Sequence, residues 1–162
     1  MIGTEPPQTR QREAAEEPLA LELGPYYYAD SYEITLSAPD DHTMEEWARC
    51  SIEEAPLAVR ETIANAWRHV LRFQLGPTPS PDNVLGFPIV SSEPNLIHLE
   101  ARSPLMRGVI VGRRIEPTRI QLTTLLFYER PGPARLVWVT VGPLHRRLVP
   151  SLLTAAAERF AR

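Results

Sequence analysis

The sequence predicts an α+β domain in which a curved antiparallel sheet of about six strands wraps around a long C-terminal helix. Strand-like runs follow one another with very short turns between them, and such turns favour antiparallel neighbours. Two short helical stretches separate the first strand from the others, and a helical stretch ends the chain. Because a sheet with one apolar face has to be covered, the terminal helix is the element expected to cover it.

The first strand is predicted over residues 28–36, and two short helices follow it. Thr43 and Glu46 have the spacing of a capping box, which predicts a helix starting at residue 44. A second helix is predicted over 57–75, where an apolar stripe recurs every three to four residues and Gly76 ends it. The inward face of the first strand comprises Tyr28, Tyr32, Ile34 and Leu36.

Five further strands and the final helix complete the predicted fold. The strands are expected over residues 84–92, 96–102, 105–115, 119–129 and 135–142. Pro143 occupies a favoured first position for the final helix. Pro150 lies inside that helix and is expected to kink it. The kink either leaves space above the sheet or only follows its curvature, and both readings stay open.

Residues 1–24 are polar and acidic and contain three prolines, which predicts a disordered or loosely docked tail. Leu19, Leu21 and Leu23 alternate, so the end of this tail is expected to pair as an extended segment. The same leucine-rich segment is also a candidate to cover apolar side chains on the outer face of the sheet. Residues 25–162 have the length of one domain.

Composition excludes several classes of protein. All 17 basic residues are arginine, so lysine nucleophiles and Schiff bases are ruled out. Cys50 is the only cysteine, and no apolar run of about 18 residues predicts a membrane span. With no secretory leader recognised, a cytoplasmic location is expected. The motifs of P-loop, dinucleotide-binding, serine-hydrolase and histidine-metal sites are absent, so no cofactor or metal is predicted.

The net charge of −3 is unevenly distributed, because residues 101–162 carry a net charge of +8 and residues 25–100 carry −8. Acidic helices and basic strands either complement each other within the domain, or the basic face meets an anionic partner. Basic strands with few exposed aromatic residues do not suit nucleic acid, so no such partner is predicted.

Three segments resemble a known superfamily. They are YADSYEITL at 28–36 followed by EEWAR at 45–49, LGFPIVSSE at 85–93, and VGPLHRRLVPSLL at 141–153. They resemble the START/polyketide-cyclase-like (SRPBCC) superfamily and, within it, an uncharacterised bacterial family of the domain-of-unknown-function type. The resemblance implies a helix-grip fold, which usually encloses an apolar cavity. The chain departs from those relatives at 136–139, where their final strand is more aromatic, and at 103–106.

The candidate ligand site lies between the sheet and the terminal helix. His145 is the candidate catalytic acid or base, since histidine titrates near neutral pH, and the alternative is that it only packs or caps. Arg146 and Arg147 either pair with acidic helix residues such as Glu53 or clamp an anionic headgroup. The predicted ligand-binding residues are Trp47, Trp67, Phe87, Ile120, Leu122, Thr124, Leu126, Tyr128, Trp138, His145, Arg146 and Leu152.

Three functions follow as hypotheses. The first is binding of an apolar small molecule such as a lipid, polyketide or aromatic metabolite. The second is an enzyme of the cyclase or dehydratase kind, with His145 facing a pocket of roughly a few hundred Å³ beside a second polar group. The third is a structural or interaction role as a homodimer formed by an apolar outer strip. The strip would comprise Leu125, Phe127, Val137, Val139 and Val141. The alternative is that the strand faces are reversed, so that these strip residues belong to the core and Trp138 is exposed.

Overall fold

A computed structural model describes residues 8–12 and 17–162 of the chain. The described part is an α+β structure with a seven-stranded antiparallel sheet and a long C-terminal helix. The strands are β1 (Gln8–Arg12), β2 (Tyr28–Thr35), β3 (Asn83–Val84), β4 (Phe87–Glu93), β5 (Leu96–Arg102), β6 (Met106–Glu116) and β7 (Arg119–Tyr128). The helices are α1 (Pro18–Glu22), α2 (Met44–Ile52), α3 (Leu57–Asn65) and α4 (Pro131–Phe160).

The strand order in the sheet is β1-β2-β7-β6-β5-β4-β3, and each neighbouring pair is antiparallel. The sheet has seven strands where about six were predicted. β1 comes from the predicted tail, and β3 is a two-residue strand beside β4. The meander from β4 to β7 and the two short helices between β2 and β3 are confirmed.

The strand predicted over 135–142 is wrong, because these residues belong to α4, which begins at Pro131 rather than at Pro143. Alternating valines favour a strand locally, but packing of an apolar face outweighs such a preference. Pro131 suits the first turn of a helix. From there the buried side chains recur at helical spacing. They are Ala134, Trp138, Gly142, Val149, Leu153, Ala156 and Ala157.

The proposed outer apolar strip therefore does not form. Val139 lies on α4 with 68% of its surface exposed, whereas Leu125 is fully buried on β7. Leu125 is covered from outside by α1, in a cluster with Ala20, and Phe127 is covered by the guanidinium of Arg107 at 4.2 Å. The outer apolar face of the sheet is thus covered by the chain itself.

The end of the predicted tail, expected to be extended, is helical in α1. Pro18 occupies the first turn, and the Glu17 carboxylate caps the helix by accepting from the Leu19 N–H at 3.1 Å. Glu17 also forms an ion pair with Arg113 of β6 at 2.7 Å. A helix lets Leu19, Ala20 and Leu23 pack together against the sheet while Leu21 stays 80% exposed, which an alternating strand would not do. Residues 1–7 and 13–16 of the predicted tail lie outside the described residues.

The capping box of α2 is confirmed: Thr43 accepts from the Glu46 N–H at 3.1 Å, and Glu46 accepts from the Thr43 N–H at 2.6 Å. α3 continues as a π-helical turn over Ala66–Val70 and ends there, short of the predicted end at residue 75. Arg72 then takes a left-handed conformation with φ of 63°, which turns the chain toward the sheet.

One face of the sheet packs on α2 and α4 to form the main core. Ile120, Leu122 and Leu126 of β7 point into this core, as their even-numbered period predicts, so the reversed-face alternative is wrong. Across residues 8–12 and 17–162, the helices include none whose length and apolar character would let it cross a membrane.

Candidate functional site

An apolar cavity of about 100 Å³ lies between the inner face of the sheet, the π-helical turn after α3 and the first half of α4. Its polar side chains are Thr124 of β7 and His145 of α4. The remaining wall is almost entirely aliphatic and aromatic. It includes Ile52, Ile63, Trp67, Leu71, Phe73, Phe87, Ile110, Leu122, Leu126, Trp138, Val141, Leu144, Leu148 and Val149.

The cavity is smaller than the few hundred Å³ expected from the sequence. Pockets for drug-sized ligands occupy roughly 300–1,000 Å³, whereas an apolar cavity of about 150 Å³ accepts benzene. The cavity therefore suits an occupant about the size of one ring. A larger occupant would have to project from the open side of the cavity or move part of its wall.

The wall over the cavity is weakest at α3 and its π-helical turn. Ile63 is the buried residue of α3, and the π-helical turn has none. Trp67 of this turn contacts Phe87 of β4, with the ring centroids 4.8 Å apart. Few buried contacts and a π-helical turn mark a segment that opens at low free-energy cost.

His145 faces the cavity and is held by Asp30 of β2. The distance from His145 Nε2 to Asp30 Oδ2 is 2.9 Å, and the Asp30 side chain is 2% exposed. The Nε2–H bond is not well aligned with the carboxylate, so the contact is close and electrostatic rather than a linear hydrogen bond. His145 also contacts Trp138, with ring centroids 5.2 Å apart. Among the described residues, Nδ1 of His145 has no hydrogen-bond partner.

Tyr28 extends this polar group toward the surface. Its hydroxyl donates to Asp30 Oδ2 at 2.7 Å and accepts from Arg146 Nη1 at 3.3 Å. Burial of the ring and the hydrogen bond to Asp30 raise the pKa of Tyr28 well above its ordinary value, so the hydroxyl stays protonated at neutral pH. Arg146 itself is exposed, at the edge of the group.

Three buried polar atoms of this group lack a hydrogen-bond partner within the described part of the chain. They are Oδ1 of Asp30, Nε1 of Trp138 and Nε2 of His145, which has only the electrostatic contact with Asp30. Such unpaired atoms are rare in folded proteins because burying them without a partner is unfavourable. Gly142 lies next to the indole: a Cβ at this position would come 3.1 Å from Trp138 Nε1 and 2.9 Å from Arg146 Nη1.

The structure brings seven of the twelve sequence-predicted residues to the cavity wall. These are Trp67, Phe87, Leu122, Thr124, Leu126, Trp138 and His145. Trp47 and Ile120 are buried elsewhere in the core, and Leu152 is half-buried farther along α4. Tyr128 stacks on Tyr27 at 4.9 Å, outside the cavity wall. The remaining residue, Arg146, contacts Tyr28 rather than Glu53, which pairs with Arg49.

Sequence reasoning missed Asp30 and the polar role of Tyr28. A signal was present, because Asp30 has the same parity as Tyr28, Tyr32 and Ile34 and so interrupts an otherwise apolar strand face. Nothing in the local sequence indicates that His145 is its partner. Phe73 and Leu144 were also missed, since the first follows a helix end and the second lies in a segment whose start was misplaced.

A second cavity, of about 110 Å³, lies beside Asp40 and the C-terminal end of α4. Asp40 accepts hydrogen bonds from Trp47 Nε1 at 2.7 Å and Arg114 Nη2 at 2.9 Å, and contacts His42 Nδ1. Burial opposes ionisation of Asp40, but these three contacts together hold its pKa below the usual value. Its oxygens are therefore already used in linking α2, β6 and the loop before α2.

These features define the class: an α+β protein with an open seven-stranded antiparallel sheet, a long terminal helix and a partly open apolar cavity whose wall includes His145, the partner of Asp30. No protein-family model, curated protein or solved structure matches the chain. The chemistry of the cavity is therefore inferred from its own residues.

Proposed function

We propose that this protein binds a small apolar molecule in the cavity between the sheet and α4. The observation that carries the proposal is an apolar cavity with His145 on its wall, paired with the buried carboxylate of Asp30. Ligand sites have this composition, with apolar walls providing affinity and a few polar groups orienting the ligand. Thr124 and His145 are the polar side chains on the wall, and the Tyr28–Arg146 contact lies beyond Asp30 toward the surface.

The energetics of packing favour an occupant. An unfilled cavity destabilises a core by about 24 cal/mol per Å³, which corresponds to about 2 kcal/mol for a cavity of about 100 Å³. A ligand that fills the space recovers part of this free energy. Its binding should therefore raise the melting temperature of the protein.

Two measurements test the proposal together: native mass spectrometry of the purified protein, and thermal unfolding with toluene as a ring-sized probe. We expect a co-purified small molecule, or a rise in melting temperature with toluene. Ala66→Leu would place a larger side chain in the cavity and should abolish the rise. Ala58→Leu, the same change at an exposed position of α3, is the matched control. The absence of both a co-purified molecule and a toluene effect would contradict the proposal.

A second candidate function is an enzyme of the cyclase or dehydratase kind with His145 as acid or base. It is favoured by the contact of Nε2 with Asp30, which leaves Nδ1 as the nitrogen available for proton transfer. Thr124 is a second polar group on the same cavity wall. His145→Gln should then change the mass of the molecule recovered from the protein, because substrate would accumulate in place of product. Recovery of the same molecule from both proteins would exclude this function.

We also propose that the fold is of the helix-grip type and that the chain is related to the SRPBCC superfamily. Support comes from the element order of one strand, two helices, a meander and a terminal helix. The cytoplasmic location, the homodimer and the lack of metal, cofactor and nucleic acid stay predictions from the sequence. The dimer would require a surface other than the apolar strip first expected.

A further inference from the structure

Trp138, Gly142 and Arg146 form a stripe along α4, each one turn after the other. Trp138 is 7% exposed and lines the cavity, and its Nε1–H has no hydrogen-bond partner among the described residues. A buried indole N–H normally has an acceptor, because leaving it unpaired is unfavourable. The Trp138 indole N–H is therefore a donor without an acceptor.

Two hydrogen-bond donors converge beside Gly142. A Cβ at this residue would lie 3.1 Å from Trp138 Nε1 and 2.9 Å from Arg146 Nη1, so the two donors are close enough together for one group with two acceptor oxygens to contact both. Arg146 Nη1 donates a long hydrogen bond of 3.3 Å to the Tyr28 hydroxyl. Because Arg146 is exposed, its guanidinium can exchange this hydroxyl for a ligand oxygen without disturbing the core.

The charges around the stripe favour a ligand that carries a single negative charge. Asp30 is already engaged by His145 at 2.9 Å and by the Tyr28 hydroxyl at 2.7 Å, whereas Arg146 has no carboxylate partner within residues 8–12 and 17–162. Two donors and one guanidinium suit a planar carboxylate. A phosphate dianion would be matched less well than a carboxylate, since it needs more donors and its larger charge is repelled more strongly by Asp30.

We infer that the ligand is an apolar carboxylic acid, whose carboxylate accepts hydrogen bonds from Trp138 Nε1 and Arg146 beside Gly142 while its apolar part occupies the cavity. This inference rests on the proposed binding function and names the chemical class of the ligand. It also assigns specificity to three residues of one helix stripe.

Isothermal titration of the full chain with phenylacetate and with its neutral analogue 2-phenylethanol tests the inference. Phenylacetate should bind about tenfold or more tightly, because charged hydrogen bonds distinguish it from the alcohol. Arg146→Gln and Trp138→Phe should each reduce phenylacetate affinity about tenfold more than they reduce 2-phenylethanol affinity. Gly142→Ala should weaken phenylacetate binding, because its Cβ would meet both donor side chains and displace them.

Arg147→Gln is the matched control, since it removes the same charge from the next, exposed position of α4. Equal loss with Arg147→Gln and Arg146→Gln would show general charge attraction and overturn the inference. Equal binding of acid and alcohol, or tighter binding of phenyl phosphate, would also overturn it while the apolar binding function stands. If toluene, acid and alcohol all fail to bind, the binding function itself fails.

Thermal melts of each variant verify folding, and Arg146→Gln tests the inference even if Trp138→Phe does not fold.

Discussion

The imidazole of His145 and the carboxylate of Asp30 lie 2.9 Å apart and connect the terminal helix α4 to strand β2. The pair is buried on the carboxylate side and faces the cavity on the imidazole side. It therefore links the position of α4 on the sheet to the polar end of the cavity. Stability and ligand binding should both depend on this one contact.

His145→Ala should lower the free energy of unfolding by about 3 kcal/mol, because it leaves Asp30 buried with only Tyr28 as a partner. Asp30→Asn removes the buried charge, so the double variant should lose clearly less than the sum of the two single variants. Urea unfolding measures all four proteins. His69→Ala, at an exposed histidine, is the control. Strictly additive effects would show that Asp30 and His145 do not interact.

Gly108→Ala should close the cavity. A Cβ at Gly108 would lie 2.6 Å from Cζ of Phe73, a ring on the cavity wall, and would push that ring into the space. Gly112→Ala is the control, because its Cβ would meet Ile97 at 2.8 Å, outside the cavity wall. Both variants should lose about 1–3 kcal/mol of stability from overpacking.

Toluene titration distinguishes these two glycines, since only Gly108→Ala should lose binding. If Gly112→Ala loses toluene binding as well, the loss reflects general destabilisation, and the cavity assignment is not supported by this pair of variants. If Gly108→Ala binds toluene as tightly as the wild type, toluene occupies a site other than this cavity.

Arg113→Met should release α1 from the outer face of the sheet. The Glu17 side chain is 1% exposed and depends on Arg113 for its ion pair, so removing the arginine leaves a nearly buried charge and should destabilise the docked helix by about 1–3 kcal/mol. Release would uncover Val109, Val111 and Leu125, and binding of the dye ANS should increase. Arg102→Met, at a largely exposed arginine of β5, should have no such effect. Unchanged dye binding in Arg113→Met would show that α1 is held by its apolar contacts alone.

Asp40→Asn should reduce stability at neutral pH and matter less in acid. Burial raises the pKa of Asp40, but contacts with His42, Trp47 and Arg114 outweigh it, so the folded-state pKa lies below the unfolded value. Such a carboxylate stabilises the fold at pH above its unfolded pKa of about 3.9, and the contribution disappears as pH falls through the lower folded-state value. Urea unfolding from pH 7 down to the acid range should show the gap between wild type and variant narrowing below about pH 4.

Asp41→Asn provides the comparison, because this exposed carboxylate neighbours Asp40 in the chain. Because the Asp41 side chain is exposed, this substitution should change the stability at neutral pH much less than Asp40→Asn does. A gap for Asp40→Asn that stays constant into acid would mean that its hydrogen bonds, rather than its charge, stabilise the loop.

Local patterns determined much of this protein. The capping box at Thr43, the even-numbered face of β7 and the short turns of the meander each depend on residues close together in the chain, so the sequence alone predicted them. The even-numbered period of β7 also accounts for the position of Leu122, Thr124 and Leu126 on the cavity wall. Periodicity was misleading where alternating valines near Trp138 imitate a strand, since residues 135–142 satisfy both a two-residue and a helical repeat.

Only the tertiary structure decided the rest. The start of α4 at Pro131, the docking of α1 and the pairing of β1 are fixed by contacts between distant segments, which outweigh weak local preferences. The candidate site has the same origin. Asp30 and His145 each look ordinary in their own segment, and their chemistry arises because the position of α4 across the sheet brings the two side chains together in a buried place, where an unshared charge is unfavourable.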